Sequence, residues 1–212
     1  DNDKWTSHCL NESEISLLKK LKSNLKTVGK YSESKAGIVT GANDFFILNS
    51  DKINEMRLNE YSKPIIQKGS FVKSWIKLTN KNYDDLVLEG SPCYLIDLNN
   101  AKTIKNPNIK KYLTSGVSRQ INARYKTMQR GKWYEVPGIN PAADALFFKR
   151  CHEVPKFIIN EAKLLATDSA YLVNANDNID IKSLVLCFYN SLTLIFSELN
   201  GRFYGGGVLE LT

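Results

Sequence analysis

An α+β domain, built on a mixed or antiparallel sheet with packed helices, is the fold class this sequence predicts. Three observations predict it. Segments of strand and helix character are interspersed without the regular alternation of a doubly wound fold. The 212 residues are enough to close a hydrophobic core in one good-sized domain or two small ones. Composition is that of a packed domain, with 42% apolar and 24% charged residues and no collagen-like or low-complexity bias in its 12 Gly and 6 Pro. With no internal repeat and no clear linker, residues 1–212 are expected to form a single domain.

Taken in order, Glu12 to Leu25 places Ile15, Leu18, Leu21 and Leu25 at helical spacing behind the capping candidates Asn11 and Ser13. Gly37 to Asn43 and Phe45 to Leu48 read as two strands around a tight turn, with Gly41 and Asn43 able to take left-handed backbone. Asn59 to Gln67 is expected to be a short helix around Pro64, and Cys93 to Leu98 a strand. From Ser115 a helix is expected to set Arg119, Lys126 and Arg130 on one stripe and Val117, Ile121 and Met128 on the other. Trp133 to Val136, Lys156 to Ile159 and Ala170 to Val173 read as strands. Ile181 to Leu199, apolar nearly all round, reads as one buried helix stopped by Asn200-Gly201. The run Gly205 to Gly207 then leads into Val208 to Leu211.

Charge narrows the partners. The 29 Lys and Arg against 22 Asp and Glu give a net +7, which favours a polyanion such as nucleic acid or an acidic membrane surface. The most apolar stretch, Ile181 to Phe196, is shorter than the roughly 20 residues that span a bilayer and is interrupted by Lys182 and Asn190, so no membrane anchor is expected. The cysteines Cys9, Cys93, Cys151 and Cys187 form no CxxC pair, which disfavours a disulfide framework or zinc ribbon and points to the reducing cytoplasm. Asp1 in place of Met, with no targeting segment, suggests a piece of a longer protein.

Catalytic chemistry is thinly supplied. The two histidines lie in His8-Cys9 and Cys151-His152, without the ligand spacing of structural zinc sites, and read as structural residues. Gly37 to Gly41 lacks the spacing and the Lys-Ser/Thr of a phosphate-binding loop, and no helix follows Gly205 to Gly207, so both read as backbone turns. Asp144 with Glu161-Ala162-Lys163 matches a metal-dependent nuclease pattern, but Glu33-Ser34-Lys35 matches the same tripeptide, as chance allows in a lysine-rich chain. More informative is Ala101 to Tyr134, which has no acidic residue and nine cations: Lys102, Lys105, Lys110, Lys111, Arg119, Arg124, Lys126, Arg130 and Lys132. Several cations on one rigid face can neutralise phosphates together and release counterions, although charge alone equally fits a solvated helix face.

Gly37-Ile38-Val39-Thr40-Gly41-Ala42-Asn43-Asp44-Phe45-Phe46-Ile47-Leu48 resembles part of the TaqI-like C-terminal specificity domain of adenine-specific (N6) DNA methyltransferases of restriction-modification systems. Further elements follow in the family's order. Tyr61 to Ile66 resembles its short helix after the Gly-Asn turn, Tyr94 to Ile96 its next strand, and Ile109 to Leu113 its next helix. Arg130-Gly131-Lys132-Trp133-Tyr134 resembles its Arg-x-x-Trp-Tyr element, and Gly201-Arg202-Phe203-Tyr204-Gly205-Gly206-Gly207 its closing glycine turn.

The resemblance implies a target recognition domain that reads a short site in double-stranded DNA. A separate N-terminal domain, outside this chain, would bind S-adenosylmethionine and methylate a flipped adenine. The family's Pro-Pro-Tyr catalytic motif has no match, since Asn106-Pro107-Asn108 and Asn140-Pro141-Ala142 carry one proline each. The chain itself is therefore expected to hold no cofactor and to bind DNA without methylating it. Arg119, Arg124, Lys126, Arg130 and Lys132 are expected on the phosphate backbone, with Thr40, Asn43 and Arg202 near the groove; Trp133 is expected in the core. A metal-dependent endonuclease using Asp144, Glu161 and Lys163, and a type I restriction specificity subunit, are the competing expectations.

Overall fold

Sequence-local signals set most helix starts. The structure, a computed structural model, describes residues 9–74, 76–100 and 104–211, leaving His8 and Lys102 outside the described residues. Helix α1 (Glu12–Asn24) begins at a capping box in which Asn11 accepts from the Glu14 N–H and Glu14 answers the Asn11 N–H. Strand β1 (Ser32–Ala36), helix α2 (Asn43–Phe46), strand β2 (Ile47–Leu48) and helix α3 (Ser50–Met56), capped by Asn49, follow. Next come strands β3 (Ser62–Ile66) and β4 (Lys77–Leu78), helix α4 (Asn80–Leu88) behind the Thr79–Asn82 capping box, and strand β5 (Tyr94–Ile96). Helix α5 (Pro107–Ser118) starts with Asn106 as cap and Pro107 in its first turn, and helix α6 (Tyr125–Met128) follows a 3₁₀ turn. Strands β6 (Ala145–Phe148), β7 (Arg150–Cys151), β8 (Lys156–Asn160), β9 (Leu165–Ala166) and β10 (Ala170–Ala175) lead to helices α7 (Ile181–Phe188) and α8 (Ser191–Asn200). Strands β11 (Arg202–Tyr204) and β12 (Val208–Glu210) close the chain.

Among the described residues the strands form three sheets, in the orders β1-β10-β6-β8-β4, β2-β5-β3-β9 and β11-β12-β7. Pairing is antiparallel except for β3 with β9 and β4 with β8, which gives the expected α+β fold with mixed sheets. Period-2 geometry divides the central strands between two cores. Leu146, Phe148, Ile158 and Leu172 join one cluster with Leu78 and Leu86. Ala145, Phe157, Ile159 and Val173 face the other with Leu184 and Val185 of α7. Both faces are covered, which is why these strands are apolar at nearly every position. A third cluster joins Phe45, Phe46, Ile65, Leu95, Ile109, Tyr112 and Ile121 around β3, β5 and α5.

Several local expectations are corrected. Asn59 to Gln67 is a 3₁₀ turn followed by β3, not a helix. Ile65 N–H donates to Cys93 O, so by alternation the donor-less nitrogen of Pro64 faces away from β5, on the side where pairing with β9 begins only at Ile65. The segment before Asn43 is a loop bridged to the body at Ile38–Thr167, and Asn43 to Phe46 are helical. Trp133 to Val136 is a turn region and not a strand. The helix expected from Ser115 ends at Ser118; Gln120 takes a left-handed φ of 55°, Ile121 is buried, and Val117 and Met128 are exposed. The apolar run from Ile181 breaks at Tyr189-Asn190, where Asn190 caps α8 through the Thr193 N–H.

Candidate nucleic-acid interface

The site is a turn locked by one arginine and flanked by three other cations. Ile38 N–H bonds to Ala166 O at 2.9 Å and Asp168 N–H to Ile38 O at 3.1 Å, tying the loop to the β9–β10 connection. Gly37 passes so close to Thr167 O that no side chain would fit. Thr40 is 1% exposed; its hydroxyl donates to Asn43 Oδ1 and accepts from the Ala42 N–H at 3.1 Å. Gly41 takes φ +73°, and a Cβ there would stand 2.7 Å from Lys126 Cβ, so the turn is seated directly against α6.

Arg130 spans this turn. Its Nη2 donates to Thr40 O at 2.7 Å and Val39 O at 3.0 Å, its Nη1 reaches Trp133 O at 3.4 Å, and its guanidinium lies 5.7 Å over Phe46. Burial lowers its pKa from the usual arginine value. Beside it, Asp44 accepts from both Arg124 Nη1 at 2.5 Å and Nη2 at 3.0 Å, and from Arg119 Nη2 at 2.9 Å. The Arg124 hydrogen bonds hold the Asp44 carboxyl below its ordinary value. Arg119 also lies 5.6 Å over Phe45, and Lys126 Nζ lies 5.5 Å over Tyr125.

The structure thus gathers Thr40, Asn43, Arg119, Arg124, Lys126 and Arg130 around one turn, although not on one helix. Four cations there meet one carboxylate, so the patch stays positive but carries less free charge than the acid-free sequence predicts. Lys132 is paired with Glu135 at 2.8 Å. Arg202 lies elsewhere, exposed on β11 opposite Glu210. Trp133 packs against the core, where Gly116 of α5 makes room for its ring.

A cleft of about 650 Å³ adjoins the turn through Asn43 and is lined by the cations Lys68, Lys149, Arg150 and Lys156 and by the carboxylates Glu153, Asp168 and Glu210, among others. Sequence reasoning missed these cations, because they come from separate loops and strands and only the fold assembles them. Lys156 Nζ donates to Val72 O at 2.6 Å and Gly69 O at 3.3 Å, and burial lowers its pKa. Lys68 and Lys149 sit 4.8 and 4.6 Å over Phe71 and Tyr171. Arg150 binds Glu210 at 3.0 Å. The Tyr204 hydroxyl, followed by Arg150, keeps the Glu210 carboxyl below its usual range.

No group of three or more His, Cys, Asp or Glu side chains able to hold a metal is found among the described residues. Asp144 is bound by Lys163 at 2.8 Å and Glu161 faces Lys77 at 3.6 Å, so each carboxylate of the nuclease pattern is answered by a lysine. Asn106-Pro107-Asn108 is a helix start. Among the described residues no helix is long and apolar enough to cross a membrane.

Mixed sheets carrying a cationic turn beside a cleft of mixed charge define a basic α+β domain. The chain belongs to the family of the C-terminal domain of the Type II methyltransferase M.Eco57I, whose model matches residues 2–212, so the resemblance to a C-terminal domain of a restriction-modification methyltransferase is borne out. It is 28% identical over 211 residues to the Type II methyltransferase M.AccI of Acinetobacter calcoaceticus, covering 97% of this chain and 37% of that protein. The fold is similar to part of the type IIG restriction endonuclease BpuSI, with a TM-score of 0.55 at 13% identity, covering 93% of this chain and 24% of that one. The chain therefore spans a little over a third of the length of the curated relative it matches.

Proposed function

We propose that this chain is the target recognition domain of a site-specific adenine-N6 DNA methyltransferase. It would read duplex DNA while a methyltransferase portion of the same polypeptide does the chemistry. The observation that supports this best is the continuity, through Asn43, of the arginine-locked turn with a cleft in which four cations outnumber three carboxylates. Phosphate anchoring needs cations on a rigid frame, and base reading needs a turn held at fixed height above the groove. In this proposal Lys126, Lys149 and Lys68 hold phosphates, and Arg119 and Arg124 do so by exchanging Asp44 for phosphate oxygens. Asn43 faces base edges. Arg130 and Thr40 shape the turn, Lys132 sits at its rim, and Arg202 contacts more distant backbone.

Adenine specificity and S-adenosylmethionine rest on the family resemblance. The glycine segments of this chain do not fit a cofactor loop, since Gly37 to Gly41 runs into a four-residue helix and Gly205 to Gly207 closes a hairpin. The cofactor is assigned to the methyltransferase portion. Titration of a fluorescent duplex with the chain tests the DNA reading. Lys126→Ala and Lys149→Ala should each weaken binding and flatten the slope of log K against log salt by about 0.9 for each phosphate no longer neutralised. Unchanged affinity and slope in both variants would remove this face from the interface.

A further inference from the structure

The β9–β10 connection carries two loops at once. On one side Ile38 N–H bonds to Ala166 O at 2.9 Å and Asp168 N–H to Ile38 O at 3.1 Å, which holds the segment leading into the Gly41 turn. On the other side Gln67 O accepts from the hydroxyls of Thr167 at 2.6 Å and Ser169 at 2.7 Å, and Thr167 N–H donates to Ile66 O at 3.2 Å. The chain after Gln67 is fastened again: Lys156 Nζ donates to Gly69 O and Val72 O, and a Cβ on Gly69 would stand 3.0 Å from the Phe148 ring. The backbones of Gln67 and Asp168 are thereby fixed, as side chains that must meet a ligand at set positions require. Those side chains take no part in holding the frame. Among the described residues no hydrogen bond or ion pair engages the Gln67 amide or the Asp168 carboxylate, and both residues line the cleft together with Asn43. Asp168 is exposed in a cleft that also holds Lys68, Lys149 and Arg150, yet it pairs with none of them. A free carboxylate on a surface that meets DNA is repelled by phosphate unless a base donates a hydrogen bond to it.

We propose that Gln67 and Asp168 determine base specificity, Gln67 at the N6/N7 edge of an adenine and Asp168 at the N4 amino group of a cytosine. The side-chain chemistry selects these bases. A primary amide carries a donor beside an acceptor, which complements the N7 acceptor and N6 donor that adenine presents in the major groove. A carboxylate only accepts, so it answers an amino group and rejects a carbonyl. Asn43 differs from Gln67 in that its Oδ1 already accepts from the Thr40 hydroxyl, which leaves its Nδ2 as the freer group. Lys68 and Lys149 in the same cleft supply charge, and charge does not tell one base from another. The inference rests on the DNA-recognition reading and deepens it, because it names which side chains read bases and which bases they take.

Selection from a pool of duplexes with a randomised core, bound by the 212-residue chain at fixed salt and then sequenced, tests the assignment. The unaltered chain should enrich a short site. Gln67→Ala should lower the preference for adenine at one position of that site by at least about fivefold, with the other positions and the salt slope unchanged, since no cation is removed. Asp168→Asn should lower the preference for cytosine at a different position to a similar extent, and should bind the remaining duplexes more tightly because one repulsive charge is gone. Enrichment of the same sequences by both variants, or a change in affinity that is uniform across sequences, would overturn the inference. An unaltered chain that binds duplex but enriches no sequence would overturn it too, while leaving DNA binding itself standing. Failure of the unaltered chain to bind any duplex would overturn the DNA-recognition reading and this inference with it.

Discussion

Asp44 accepts three hydrogen bonds from two arginines, and its partners fix how it responds to acid. Its folded pKa is lowered, so the stabilisation from the cluster is fully present above the unfolded value near 3.8 and is lost as pH falls through the lowered folded value. All three side chains are at least 40% exposed, and solvent screening keeps each pair within about 1 kcal/mol. Asp44→Asn should therefore melt slightly below wild type at pH 7 and together with it near pH 2. The same variant should bind duplex DNA more tightly, with a salt slope steeper by about one phosphate contact, since Arg119 and Arg124 are freed of their carboxylate. Weaker binding would mean that Asp44 positions the arginines more than it masks them. Gly116 gives a second check at this scale. In an exposed helix interior Gly→Ala gains about 1 kcal/mol. Here the new Cβ would overlap the Trp133 ring and stand 2.7 Å from Phe45 Cζ, so Gly116→Ala should lose about 1–3 kcal/mol in denaturant unfolding.

Elements were legible in the sequence where the signal is local, and illegible where tertiary contacts set it. The Asn11 cap, the Asn200-Gly201 stop and the strands at Tyr94, Lys156 and Ala170 follow from neighbouring residues alone, whereas the Asn190 cap that splits the expected helix does not show in a run that is apolar on both sides of it. The continuous basic helix does not, because a wheel drawn from Ser115 assumes no break and Gln120 makes one. Arg119, Lys126 and Arg130 do meet in space, but Arg119 through Asp44, Arg130 through the carbonyls of the Gly41 turn and Lys126 by packing against Gly41 itself, all a long way back in sequence. Helix α1 has the periodicity of a packed helix and yet buries none of its residues. Replacing Leu18 and Leu21 together by Ser should therefore leave the unfolding free energy within about 0.5 kcal/mol of the unaltered chain. A larger loss would show that α1 supports the fold.

At the scale of the molecule the question is whether turn and cleft act as one DNA surface. A net charge of +7 spread evenly would bind DNA weakly through whichever cations happened to be near. Here the turn is fastened to the β9–β10 connection through Ile38, the cleft wall includes Thr167 and Asp168 of that same connection, and Asn43 belongs to both. One rigid duplex lying across such a frame would contact both sets of cations at once. The losses from Lys126→Ala on the turn side and Lys68→Ala with Lys149→Ala on the cleft side should then add in log K, and their reductions in salt slope should add as well. Two separate surfaces would behave otherwise. Duplexes bound at either one would still bind at the other, so each set of substitutions alone would cost little and only the combined variant would lose binding. Measuring the two sets singly and together, over a series of salt concentrations, separates these arrangements without knowledge of the recognised sequence.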